Sequence, residues 1–130
     1  MDHKELELKS IEYRKTILDI IDSLYFDENI IVLGDFNAYS QEDPIQILQS
    51  TNLNRLETVN HSYIYKGKNG SLDHVFVSCN FIDHIDQVQT LNINSIYPSW
   101  MDYSHILADS SYFRSSDHNP MVVGINGSVR

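Results

Sequence analysis

A single cysteine, Cys79, rules out an internal disulfide in this 130-residue chain and leaves the redox compartment undetermined. Cys79 itself reads as a small buried hydrophobe. Cations are scarce too, with 9 Lys and Arg against 18 Asp and Glu for a formal net charge of -9. That balance excludes a protein that grips nucleic acid through a broad basic face, because counterion release needs many Lys and Arg contacts with phosphate. No apolar run approaches the ~20 residues of a membrane-spanning helix. No basic start followed by an apolar stretch and a small-residue cleavage site is present, so any secretory signal lies outside this stretch, and a chain complete as it stands would be cytoplasmic. There is no linker, internal repeat or low-complexity tract. What is there is the composition of a soluble globular protein, 42% hydrophobic and 21% charged, at a length that suits one domain and not two.

From about residue 6 to 24 the apolar residues Leu8, Ile11, Ile17, Leu18, Ile21 and Leu24 mostly recur at three- and four-residue steps, which predicts an amphipathic helix. Ile30-Ile31-Val32-Leu33 then reads as a strand buried on both faces, running into Gly34-Asp35-Phe36-Asn37. Alternation points Asp35 and Asn37 the same way and Phe36 back into the protein. A second helix is signalled by Glu42-Asp43-Pro44, a capping-type Asp before a Pro, with Ile45, Ile47 and Leu48 on its apolar side. Residues 58–65 and 75–78 read as strands of one hairpin joined through Lys66-Gly67-Lys68-Asn69-Gly70. Residues 81–94 suggest a short turn or helix and then a strand, and 96–114, with Trp100, a long loop. Pro120-Met121-Val122-Val123-Gly124-Ile125 closes the chain as a buried strand.

Three polar groups fall at the rims of these strands: Asp35 with Asn37, Asp73 in Ser71-Leu72-Asp73-His74-Val75-Phe76, and Asp117 with His118. Open sheets place their chemistry at such rims. Each group also has a plain structural reading, as a turn, a hairpin residue or a loop imidazole. An acidic chain is still able to act on a phosphodiester if its carboxylates collect divalent cations. His3, His61, His74, His84 and His105 show no zinc-type spacing and read as surface or packing residues.

As a set, Gly34-Asp35-Phe36-Asn37, Leu72-Asp73-His74-Val75-Phe76 and Ser116-Asp117-His118-Asn119-Pro120 resemble, in order and spacing, the last three signature motifs of the endonuclease/exonuclease/phosphatase superfamily, the DNase I-like fold. The resemblance covers about residues 27–125. It is most similar to the secreted bacterial endonucleases in its Tyr-rich hairpin, Asn92-Ile93-Asn94, Met101-Asp102-Tyr103 and Phe113-Arg114-Ser115-Ser116-Asp117-His118. The fold it implies is α/β (α+β), half of a four-layer αββα sandwich with one mixed sheet and flanking helices. Residues 1–130 would then be a single partial domain, the C-terminal half. It also implies roles. Asp35 would orient or deprotonate the attacking water and border the metal, and Asn37 would hold that water or a phosphate oxygen. Asp117 would sit by Mg2+, or alternatively Mn2+ or Ca2+, hard cations that prefer carboxylate oxygens. His118 would face the phosphate, with Asp73 fixing its tautomer and favouring the imidazolium.

The family's first half carries an Asn and a metal-binding glutamate that have no match here, since Glu5, Glu7 and Glu12 fall on the helix. The chain is therefore expected to be inactive alone, and three readings stand beside one another. It is a nuclease acting on nucleic acid through phosphate, a sphingomyelinase-like or other small-substrate phosphoesterase, or a catalytically dead interaction module. The half-sandwich also leaves one sheet face uncovered. Apolar surface in water is disfavoured by ~25 cal/mol per Å², so the isolated chain is expected to pair with a missing half, to associate with a second copy of itself, or to be poorly stable. Size-exclusion chromatography with light scattering should give a mass above the 15.0 kDa of the chain; a stable monomer without exposed apolar surface would overturn the expectation.

Overall fold

The computed structural model describes residues 12, 15–16, 18–20, 22–23, 29–97 and 115–127. In chain order its strands are β1 (Ile31–Asp35), β2 (Leu53–Leu56), β3 (Tyr63–Tyr65), β4 (Lys68–Gly70), β5 (Asp73–Ser78), β6 (Ile85–Thr90) and β7 (Met121–Ile125). A helix, Asp43–Gln49, follows β1, and a 3₁₀ helix, Cys79–His84, follows β5.

Val75, Phe76 and Val77 are β-formers with no exposed surface. A strand buried this deeply needs partners for its N–H and C=O groups along both edges, and β5 has them: the order is β1-β5-β2, antiparallel throughout. One face of this sheet is covered by the helix Asp43–Gln49, whose Ile45 and Leu48 pack with Phe36, Ala38, Leu53 and Phe76. Each such fully buried side chain contributes about 1.5–3 kcal/mol. Phe36 meets Phe76 edge-on, with ring centroids 5.5 Å apart. Two further pairs, β3-β4 and β6-β7, complete a mixed α+β arrangement consistent with part of the sandwich that the motifs imply.

Several expectations need correction. The strand buried on both faces is β5, whereas β1 pairs on one side only among the described residues and leaves Leu33 58% exposed. The strand at 58–65 does not pair with 75–78. Lys66 (φ 48) and Gly67 (φ 77) make a two-residue turn, so 68–70, read as turn, becomes β4 and pairs with β3. Among the described residues the sheets are three and antiparallel, not one mixed sheet. The helix begins after Glu42, which makes no side-chain cap; its Oε2 accepts the N–H of Tyr39 at 2.9 Å instead. Asp43 is the first helical residue, where a carboxylate suits the helix dipole. The closing strand β7 is half open, with Val122 41% and Ile125 52% exposed, and among the described residues it pairs only with β6. Cys79 is exposed, not buried.

Other expectations stand. The 3₁₀ helix followed by β6 matches the reading of 81–94. The described residues among 12–23 are helical. Leu8, Ile11, Ile17, Ile21 and Leu24 of that stretch, Trp100, and residues 98–114 of the long loop lie outside the described residues.

Gly34 has a backbone role of its own. Its φ of +147° is one that side chains rarely adopt, and it occurs within the β1-β5 ladder, opposite His74. A Cβ there would meet no atom within 4 Å, so the requirement is conformational and not steric. Gly34→Ala should therefore lower the unfolding free energy by about 1–3 kcal/mol in urea titrations without overpacking; unchanged stability would show that the strand does not need glycine.

Candidate functional site

The antiparallel register of β1 and β5 sets Asp35 directly opposite Asp73. The pairing extends one step further, where the Phe36 N–H donates to the Leu72 carbonyl at 2.9 Å. Phe36 is drawn into the core, which turns Asp35 and Asn37 outward to solvent. Asp35 Oδ1 accepts the N–H of Asn37 at 2.8 Å, closing a tight turn with Asn37 at φ 48. Both sequence readings of this segment thus hold at once: it is a turn, and it presents polar groups at a rim. Two carboxylates facing each other across a ladder repel.

His118 stands beside them. Its Nδ1 lies 2.7 Å from Asp73 Oδ2. A carboxylate oxygen only accepts, so Nδ1 carries the proton and donates, and Nε2 is left for another partner. The ring of Tyr63 packs on the imidazole with centroids 4.8 Å apart. Asp35, Asp73 and His118 each offer a ligand atom within 4.8 Å of the others. Asp117 is exposed and lies outside this group. Gly34, Asp73 and His118 line a cleft of about 360 Å³ together with Leu33, Asn94 and Ser116.

The groups that hold this constellation are buried amides and hydroxyls to which the sequence reading gave no role. Ser62, with no exposed surface, accepts the N–H groups of Leu72 and Asp73 on its Oγ at 3.1 and 3.2 Å. Its carbonyl accepts the Asn119 N–H at 2.7 Å. Asn119, 2% exposed, accepts the N–H groups of Asn94 and Ser95 at 2.9 Å and donates from Nδ2 to His61 O, Asn92 Oδ1 and Ser95 Oγ. Asn94 donates to the His118 carbonyl at 2.8 Å. Three segments distant in sequence are thereby pinned around His118. The sequence signals were the place of Asn119 between His118 and Pro120 and the segment Asn92-Ile93-Asn94, neither of which gave a role, since burial of an amide is a tertiary fact.

Two carboxylates at one rim suit a hard divalent cation, which would also relieve their mutual repulsion. Asp73 Oδ2 is engaged by His118, so Asp35 and the second oxygen of Asp73 are the available donors. The donor set fits such an ion without fixing which one.

A family model described as Endonuclease/Exonuclease/phosphatase family matches residues 7–118. No curated protein and no solved structure matches the chain.

His74, next in sequence to Asp73, points to the other side. It is 2% exposed, lies edge-on to Phe36, and its Nε2–H donates to the Ala38 carbonyl at 2.8 Å. The packing role read for it from sequence is the one it has. Burial lowers its pKa below the usual 6.5, with the Arg55 charge acting the same way, against the opposing pull of the Ala38 carbonyl, Asp73 and Glu57. Above pH 6.5 the ring is neutral folded or unfolded and its titration costs nothing. As pH falls below 6.5 the unfolded chain takes up a proton that the folded chain refuses, so stability falls. Thermal melts should show this decline, and His74→Phe should flatten it; an identical pH profile in the variant would contradict the assignment.

Proposed function

The chain belongs to the Endonuclease/Exonuclease/phosphatase family, a superfamily of phosphodiesterase and nuclease-type hydrolases, and from that premise we propose that its cleft is the acid-base part of a Mg2+-dependent nuclease site. The reading rests on one observation above all: His118 held by Asp73 at 2.7 Å, beside the outward-facing Asp35. In-line hydrolysis requires a water deprotonated as it attacks phosphorus, donors for the non-bridging oxygens, and stabilisation of the leaving oxygen as the P–O bond breaks. Asp35, with one oxygen taken by the Asn37 N–H, has the other for the water proton. Asn37 holds that water or a phosphate oxygen. His118, oriented through Nδ1, directs Nε2 at the phosphate, and Asp73 is its positioning partner. A bound cation would supply charge neutralisation at the phosphate and a more acidic water; the carboxylates to hold it are Asp35 and, through its second oxygen, Asp73.

The Tyr-rich hairpin and the run up to His118 favour a nuclease of the secreted bacterial kind over a small-substrate phosphoesterase. In this reading the chain is the C-terminal half of that nuclease's domain, and the half that is absent would add the metal-binding glutamate.

Plasmid DNA, RNA and bis(p-nitrophenyl) phosphate, each incubated at high protein concentration with Mg2+, test the assignment. Hydrolysis belonging to this site should stop with EDTA and fall roughly 10²–10⁴-fold in His118→Ala. Cleavage indifferent to that substitution would place the chemistry elsewhere.

A further inference from the structure

Beside the cleft stands a short hairpin that the chemistry above leaves unused. Tyr63 and Tyr65 lie two residues apart on β3, so their side chains leave the same face of the strand. Their rings are nearly parallel, 17° apart, with centroids separated by 6.4 Å. Tyr63 is committed to His118. Tyr65, one ring further out, is 52% exposed. The hairpin is firmly seated. Tyr39 from the loop after β1 lies so close to Gly70 on β4 that a Cβ there would collide with its ring, and the Ser62 N–H donates to the Gly70 carbonyl at 3.1 Å. The turn adds two exposed cations, Lys66 and Lys68, in a chain of net charge -9.

We propose that Tyr65 is a nucleobase-stacking subsite, with Lys66 as its phosphate contact, and that it selects a single-stranded stretch of DNA or RNA next to the phosphate held at His118. This rests on the phosphodiester reading of the cleft and adds the substrate class. An acidic chain has little long-range attraction for a polyanion, so recognition has to come from local contacts. Stacking on an exposed aromatic face supplies this for any base, provided the base is unstacked from its neighbours, which a single strand offers and a duplex does not. The Lys66 ammonium now lies 5.2 Å from the centre of the Tyr65 ring. An exposed cation–π contact is weaker than base–aromatic stacking, so an arriving base displaces Lys66 and frees its charge for the adjoining phosphate.

Fluorescence anisotropy with a labelled ten-residue dT oligonucleotide tests this, beside an abasic oligonucleotide of the same length and a duplex, with Mg2+ present. The protein should bind the dT strand more tightly than either control. Tyr65→Ala should weaken dT binding roughly 5- to 100-fold and abolish the preference over the abasic strand, while Tyr65→Phe should keep it. Equal binding of dT and abasic strands, equal binding of the duplex, or no effect of Tyr65→Ala would overturn the proposal. The two readings fail separately. A dT preference that depends on Tyr65 beside hydrolysis indifferent to His118→Ala sinks the nuclease assignment and leaves the subsite; hydrolysis that depends on His118 without that preference does the reverse.

Discussion

The pairing of β1 with β5 is the constraint on which the site and the core both depend. It puts two carboxylates opposite each other at one end of the ladder, an arrangement that is unfavourable in isolation. The same pairing seats Phe36 and Phe76 against the helix Asp43–Gln49. Because side chains alternate, a slip of one residue would send Phe36 to solvent and the carboxylates toward the apolar side. Core burial therefore holds in place an electrostatic arrangement that would not form on its own merits. His118 then engages one of the two carboxylates through Nδ1, and it has to be carried in from the far end of the chain.

That delivery is made by polar groups. Ser62 touches the start of β5 on one side and Asn119 on the other. Asn119 in turn gathers the segments at 61–62 and 92–95 around the residue after His118. Loss of this amide would leave the Asn94 and Ser95 N–H groups without their acceptor in a buried place, at about 1–3 kcal/mol each. Hydrophobic packing places β1 and β5, and a satisfied hydrogen-bond network places the histidine.

Local pattern carried much of this. Asp35, Asp73 and His118 were legible because each sits where an apolar run meets polar residues, and their union followed from motifs taken together. The outward direction of Asp35 and Asn37 came from the two-residue period of a strand. Pairing partners were not legible. Nothing local says that Val75-Phe76-Val77 must be flanked on both sides, or that Lys66 and Gly67 tighten the turn enough to make 68–70 a strand. Leu53–Leu56 went unnoticed because its Asn and Arg interrupt the alternation of a half-buried strand. Ser62, Asn94 and Asn119 have the look of loop residues until folding buries them.

The β6-β7 pair is two strands with exposed Val122 and Ile125. Among the described residues the apolar side chains with no exposed surface, Ile45, Val75, Phe76 and Val77, belong to the β1-β5-β2 sheet and its helix. His118 reaches the cleft from just before β7, and Asp35 and Asp73 sit on β1 and β5. The two sides of the site thus belong to different pairings of the chain. A disturbance of β6-β7 reaches the imidazole and one of β1-β5 reaches both carboxylates, so the site stands only while both pairings do.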